Sequence, residues 1–235
     1  MNRLPAGLSV IAFDADDTLW ENEQFFADAE QRFTALLEDF LPKHSVAREL
    51  LHTEIANLPL YGYGIKAFML SMIETAIRIS DNRIPASVIA EAIAIGREML
   101  EKPVVLINGV TDVLEKLKGR YRIVMATKGD LLDQERKLKK SNLQSYFHHI
   151  EIMSEKKEDD YRKLIRHLDI PAEQFMMIGN SLKSDVMPVI NVGGYAAHVP
   201  YHVTWEHEKL DIALESDRFF PLDNITELPD LLPNP

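Results

Sequence analysis

Short apolar runs that each stop at a polar turn constrain this chain more than any other feature. Leu8–Phe13 (LSVIAF) stops at Asp14, Tyr121–Ala126 (YRIVMA) at Thr127, Ile150–Met153 (IEIM) at Ser154, and Phe175–Ile178 (FMMI) at Gly179. A fifth run, GYAAHV, spans 194–199. Apolar runs of this length without polar alternation read as strands buried on both faces, the pattern of parallel sheets. Between them lie apolar positions at helical spacing, among them Val110, Val113, Leu114 and Leu117, then Tyr161, Leu164, Ile165 and Leu168. Alternating strands and helices predict an α/β fold with a doubly wound sheet.

The alternation is interrupted once. After Asp14 the next strand begins only at Tyr121, whereas a βαβ unit needs about 30 residues or somewhat more. Within the gap Phe25, Ala29, Phe33, Leu36, Leu37 and Phe40 share one 3.6-residue stripe. A second stripe runs from Ile65 through Phe68, Met69, Met72, Ile73 and Ala76 to Ile77, and a third from Val88 and Ile89 to Met99 and Leu100. Pro42, Pro59, Pro85 and Pro103 punctuate these segments. The expected organisation is a core from residues 1–20 and 103–235 carrying an all-α insertion over 21–102. A lid over the strand ends is the natural role of such an insertion. The tail after Phe219-Phe220-Pro221-Leu222 is expected to add a last short strand and helix.

Composition excludes several alternatives. The 235 residues carry 26 Lys and Arg against 37 Asp and Glu, a formal charge of −11. That acidic excess argues against nucleic acid or an anionic membrane as the main partner. There is no cysteine, so disulfides and thiolate chemistry are excluded. No stretch approaches the ~18 apolar residues of a membrane span, and the expectation is a soluble, cytoplasmic protein.

The chemistry concentrates at the strand ends. Val10-Ile-Ala-Phe-Asp14-Ala-Asp16-Asp17-Thr18-Leu-Trp20 places carboxylates at i and i+2 where a strand stops, the edge at which open α/β sheets bind ligands. A helix cap is the plainer reading of Asp17 and Thr18. A calcium loop is excluded, because its twelfth position is Phe25 rather than Glu. The other strands end in Thr127-Lys128-Gly129-Asp130, in Lys156, and in Gly179-Asn180-Ser181-Leu182-Lys183-Ser184-Asp185. A nucleophile, a second carboxylate, a hydroxyl, a cation and a further acid form the inventory for Mg²⁺-dependent phosphoryl transfer.

Asp14-x-Asp16-x-Thr18-Leu, Thr127, Lys156 and Gly179-Asn-Ser-x-x-x-Asp185 resemble the four ordered motifs of the haloacid dehalogenase-like (HAD) hydrolase superfamily. The match spans the whole predicted core, and the 21–102 insertion resembles the family's helical cap. The resemblance implies a Rossmann-like core and a phosphatase in which Asp14 attacks phosphorus to give an aspartyl-phosphate. Asp16 would serve as general acid and then base, which calls for a raised pKa. Mg²⁺ would be held by Asp14, the Asp16 carbonyl and Asp185. Thr127 and Lys156 would hold the remaining phosphoryl oxygens, with Asn180 and Ser181 behind them. Lys156 is preferred over Lys157 because it follows Ser-Glu, a turn like the one that often precedes the family lysine. Asn180 stands where many relatives have Asp, and Lys128 where relatives often have Asn. Lys128 is either a substrate contact or an exposed bystander.

Asp16 argues against a dehalogenase, because halide leaves without a proton. The implied partner is a small phosphorylated metabolite, a sugar phosphate or nucleotide. A β-phosphoglucomutase-like phosphotransferase and a non-catalytic phospho-Asp regulatory module are the alternatives. In Leu60-Tyr61-Gly62-Tyr63-Gly64-Ile65-Lys66, Tyr63 and Lys66 are candidates for substrate specificity, weighed against simple packing. His198, His202 and His207 lack metal-ligand spacing. The run Arg136-Lys137-Leu138-Lys139-Lys140 reads as a solvated helix face. Oligomeric state is not legible.

Overall fold

The computed structural model describes residues 4, 7–210 and 212–233. The chain forms two compact units. One contains the chain up to Glu23, Val104–Lys128 and everything from Lys137 onward; the other contains Gln24–Pro103 and Gly129–Arg136.

The first unit is an all-parallel sheet. Its strands are β1 (Val10–Phe13), β2 (Arg122–Lys128), β3 (His149–Met153), β4 (Phe175–Gly179), β5 (Tyr195–His198) and β6 (Phe219–Pro221), in spatial order β3-β2-β1-β4-β5-β6. This is a Rossmann-like α/β fold. Strand alternation builds two cores, one on each face. Ile11, Phe13, Ile123, Met125, Met176 and Ile178 point into one, with Val110, Val113, Leu114 and Leu117 of α5 (Val110–Leu117) packed against them. Val10, Ala12, Val124, Ala126, Phe175 and Met177 point into the other, against Tyr161, Leu164 and Ile165 of α7 (Glu158–His167). Strand order reverses between β1 and β4, and the carboxyl edge at such a point is where these sheets bind ligands. The tail forms β6 and a short helix, Leu228–Leu231, as its sequence suggested.

Helices α1 (Glu23–Leu36), α2 (Lys43–Tyr61), α3 (Ile65–Ile79) and α4 (Ala86–Glu101) make up the helical unit. The predicted stripes meet in its core, where Phe33, Leu37, Phe68, Met72, Ala76, Ala92 and Met99 are buried. Phe26 and Phe68 stack edge to face with centroids 5.2 Å apart. Pro59 corrects the reading of proline as punctuation: it lies inside α2. α2 ends two residues after it, and Gly62 closes that end by donating to the Leu58 carbonyl at 3.0 Å. α2 also buries the polar Thr53 and Asn57, which bond across to Thr75 at 2.9 Å and Ser71 at 3.1 Å on α3. Among the described residues no helix is long and apolar enough to cross a membrane.

Candidate active site

The peptide leaving β1 turns sharply at the reversal point. Asp14 is still tied to β4 by its amide, which donates to the Ile178 carbonyl at 2.8 Å. Asp17 then adopts a left-handed φ of 60°, a conformation Asp tolerates better than most residues. Its carboxylate accepts from the amides of Asn22 and Glu23 at 2.8 and 3.0 Å. The helix-cap reading of Asp17 therefore holds, since these amides lie at the start of α1. Thr18 Oγ is buried with no hydrogen-bond partner among the described residues.

Three of the predicted residues converge below this turn. Lys156 Nζ donates to Asp14 Oδ1 and, at 2.7 Å, to Asp185 Oδ1. All three side chains are buried. Asp185 arrives on a single π-type turn, Leu182–Val186, that follows β4, and its second oxygen accepts from the Ser181 amide at 3.0 Å. The turn needs glycine at 179: a Cβ there would lie 2.2 Å from the Asp185 carboxyl group. Burial, helped by the charge of Asp185, outweighs the attraction of Lys156 and pushes Asp14 up to about 7. Burial and the neighbouring Asp16 likewise push Asp17 to about 7. The two carboxylates raise Lys156 above the ordinary lysine value against burial, which acts the other way. Thr127 is buried at the end of β2, its hydroxyl 3.4 Å from the Lys128 carbonyl, beyond the ordinary range for an O–H donor.

Asp16 stands slightly apart. Lys137 Nζ donates to both of its oxygens at 2.9 and 3.1 Å, and Trp20 Nε1 donates at 2.7 Å. Lys137 also donates to Asn22 Oδ1 at 2.8 Å, and its side chain is 15% exposed. This corrects the reading of the 136–140 run as a solvated face. Lys137 lies on the inner side of α6 (Leu131–Ser141), while Lys139 and Lys140 remain exposed. The carboxyl groups pushed up by their surroundings include Asp14 and Asp17.

A second ionic cluster shares the 181–185 turn. Lys128 Nζ donates to Glu208 Oε1 at 2.5 Å and to Ser184 Oγ at 2.9 Å. Glu208 Oε2 accepts from Ser181 Oγ at 2.6 Å and Ser184 Oγ at 2.7 Å. Although burial opposes its charge, Lys128 and the two serine hydroxyls take Glu208 down to about 2. Lys128 is therefore no exposed bystander: its side chain is 17% exposed. Nothing in the sequence singled out Glu208, which lies in the long segment between β5 and β6. His207 beside it accepts from Lys183 through its carbonyl at 2.8 Å. Asn180 is half-buried, and its main-chain carbonyl lies 2.9 Å from His198 Nε2.

Tyr63 and Lys66 belong to the helical unit. Lys66 Nζ pairs with Asp130 at 2.8 Å while remaining 48% exposed. Gly64, at φ 107°, brings the loop against Asp130, where a Cβ would lie 3.3 Å from the Asp130 Cβ.

A family model for haloacid dehalogenase-like hydrolases matches residues 8–193. The chain belongs to the haloacid dehalogenase-like hydrolases. A crystal structure of a haloacid dehalogenase-like family hydrolase from Xanthomonas campestris superposes at a TM-score of 0.87 with 37% identity, covering 98% of this chain and 92% of that one. The HAD-hydrolase YfnB from Bacillus subtilis, bound to magnesium, reaches 0.67 at 16% identity over 96% and 98%. L-2-haloacid dehalogenase from Xanthobacter autotrophicus, with chloropropionic acid covalently bound, reaches 0.62 at 11% identity over 95% and 98%. The last two show the shared fold. Similar structures include phosphatases and dehalogenases alike. No curated protein matches the chain.

The family's usual Mg²⁺ can be tested against this HAD hydrolase's own residues. Asp14 and Asp185 bring two carboxylates against one ammonium in a buried place, a negative excess that burial makes costly. Among the described residues no group of three or more His, Cys, Asp or Glu side chains forms a metal cage. Mg²⁺ rarely uses one, preferring one or two carboxylates with water and substrate phosphate. The donors fit such an ion.

Proposed function

We propose that this HAD hydrolase is a phosphatase that releases phosphate from small phosphomonoesters of the sugar phosphate or nucleotide class. The observation that carries the reading is the buried Asp14–Lys156–Asp185 cluster at the sheet's reversal point, with a second carboxyl, Asp16, two residues beyond Asp14. Asp14 is the nucleophile: its carboxylate attacks phosphorus, the ester oxygen leaves, and water then cleaves the aspartyl-phosphate. An alkoxide is a poor leaving group and needs a proton, which Asp16 supplies; a halide needs none, and this separates the phosphatase reading from the dehalogenase one.

Lys156 places its charge against the phosphoryl oxygens, and the buried Thr127 hydroxyl adds a donor there. The Asp14 and Asp185 carboxylates and the Asp16 carbonyl would hold Mg²⁺, which when bound offsets phosphate charge and orients the ester. With two ionised aspartates, Lys156 and the ion, and with Asp16 offset by Lys137, the site sums to about +1, enough to attract a phosphate dianion in an acidic protein. The helical unit would act as the cap, with Tyr63 and Lys66 reading the substrate.

The test is release of phosphate from p-nitrophenyl phosphate and a metabolite panel, and of chloride from L-2-chloropropionate, with Mg²⁺ or EDTA. Phosphate release that needs Mg²⁺ and is lost in Asp14→Asn is expected. Chloride release without phosphate release would overturn the proposal. Burst labelling of about one phosphate per chain, without turnover, would favour a regulatory module instead.

A further inference from the structure

The second ionic cluster has no part in the mechanism above, yet it is built like a ligand site. Lys128 from the end of β2 and the hydroxyls of Ser181 and Ser184 converge on one point, and a carboxylate fills it. That carboxylate is Glu208, and the Glu206–Glu208 segment is fastened a second time through Lys183 and the His207 carbonyl. The recess is next to the candidate phosphoryl site, because Ser181 serves both: its hydroxyl meets Glu208 and its amide meets Asp185.

Lysine with two hydroxyls is chemistry that recognises an anion. We infer that Lys128, Ser181 and Ser184 form an anion recess filled by the chain's own Glu208, and that Glu208 thereby selects against phosphomonoesters carrying a second anionic group. The inference rests on the phosphatase reading and narrows it: the substrate is a phosphate ester of an uncharged alcohol. A carboxylate or second phosphate reaching this recess would meet Glu208 instead of a free Lys128, and displacing Glu208 would strand a buried charge. An uncharged alcohol incurs neither cost. Selection of this kind works by repulsion as much as attraction.

The experiment compares two non-hydrolysable probes by calorimetry in Mg²⁺. Methylphosphonate carries no second anion, and phosphonoacetate adds a carboxylate. Wild type is expected to bind methylphosphonate at least as tightly as phosphonoacetate. Glu208→Gln is expected to shift the affinity ratio toward phosphonoacetate by about tenfold, the scale of one charge-assisted hydrogen bond. Adding Lys128→Gln to Glu208→Gln should cancel the shift. The ratio removes any loss common to both probes, and thermal melts confirm that the variants fold. A wild-type preference for phosphonoacetate overturns the inference without any variant. So does an unchanged ratio in Glu208→Gln, a shift that survives Lys128→Gln, or failure of wild type to bind either probe. Turnover is scored separately: the predicted shift without phosphatase activity would sink the proposed function and leave the recess standing.

Discussion

Two buried ionic clusters hang from the same turn, and they are balanced differently. Around Lys156, two carboxylates face one ammonium and Asp14 is pushed up to about 7. Around Lys128, one carboxylate faces one ammonium with two hydroxyls in support, and Glu208 is pulled down to about 2. Burial opposes charge in both places, so the difference lies in stoichiometry and in hydrogen bonds. The first cluster is left with a negative excess that another cation would relieve. The second is complete as it stands. On the proposed function incompleteness marks the place where chemistry is done, and on the further inference completeness marks the place where the chain has supplied its own ligand.

The most severe way to break the comparison is to remove each cluster's cation. Lys156→Met leaves two buried carboxylates facing each other and should cost about 3–5 kcal/mol of stability without metal. Lys128→Met leaves Glu208 with two serine donors and some solvent access, and should cost less, about 1–3 kcal/mol. Denaturant midpoints in EDTA at pH 8 would measure both. Equal losses would mean that the two clusters do not differ in the way described.

The clusters should also answer pH with opposite signs. Asp14 has its folded value raised from 3.8 to about 7, so the folded state holds its proton more tightly. Its contribution is fully present below about pH 4 and is lost as pH rises through 7. Asp17, also raised to about 7, acts in the same direction. Glu208 is lowered from 4.5 to about 2, so its contribution is present above 4.5 and lost as pH falls toward 2. Unfolding free energy in EDTA is expected to fall by on the order of 5 kcal/mol from pH 5 to 8, about half from each aspartate. Asp14→Asn should roughly halve that decline, leaving the part due to Asp17, and Glu208→Gln should flatten the acid limb. A wild-type curve that stays level between pH 5 and 8 would contradict the negative excess assigned to the first cluster.

Mg²⁺ sharpens the same contrast. An ion held by Asp14 and Asp185 as proposed would stabilise the folded state by about 2.7 kcal/mol at a hundred times its dissociation constant. The gain should be larger at pH 8 than at pH 5, where Asp14 is protonated. It should vanish in Asp185→Asn and persist in Glu208→Gln. Thermal melts with and without the ion decide this.

These pairings also show what a sequence can and cannot disclose. Asp14, Thr127, Lys156 and Asp185 were legible because each follows an apolar strand, and parallel strands deliver their ends to one edge. The sheet was legible for the same reason, its strands being near-continuous apolar runs. Glu208 and Lys137 were not. Glu208 meets Lys128 across 80 residues and Lys137 meets Asp16 across 121, and before folding both look like ordinary charged surface residues. Lys137 even sits in a basic run that imitates a solvated face. α2 escaped for a different reason: its buried Thr53 and Asn57 interrupt the apolar stripe, and Pro59 gives a false stop.

Lys137 supplies the smallest and most specific test. Its ammonium bonds both Asp16 oxygens while Trp20 fixes one of them, so Asp16 is positioned by an ion pair outside both clusters. The pair is partly exposed, at 15% and 23%, and Lys137→Met should cost only about 1 kcal/mol of stability. Catalysis should respond unevenly. If Asp16 delivers the proton to the leaving oxygen, a loosened Asp16 slows esters of poor leaving groups, while p-nitrophenyl phosphate, which needs little protonation, is nearly spared. Asp16→Asn should show the same unevenness more strongly. The measurement is kcat/KM across esters of graded alcohol acidity for wild type and both variants. Parallel losses across the series in Asp16→Asn would remove Asp16 from the proton-transfer step. Unevenness in Asp16→Asn alone would leave the proton donor in place and reduce Lys137 to a purely structural partner.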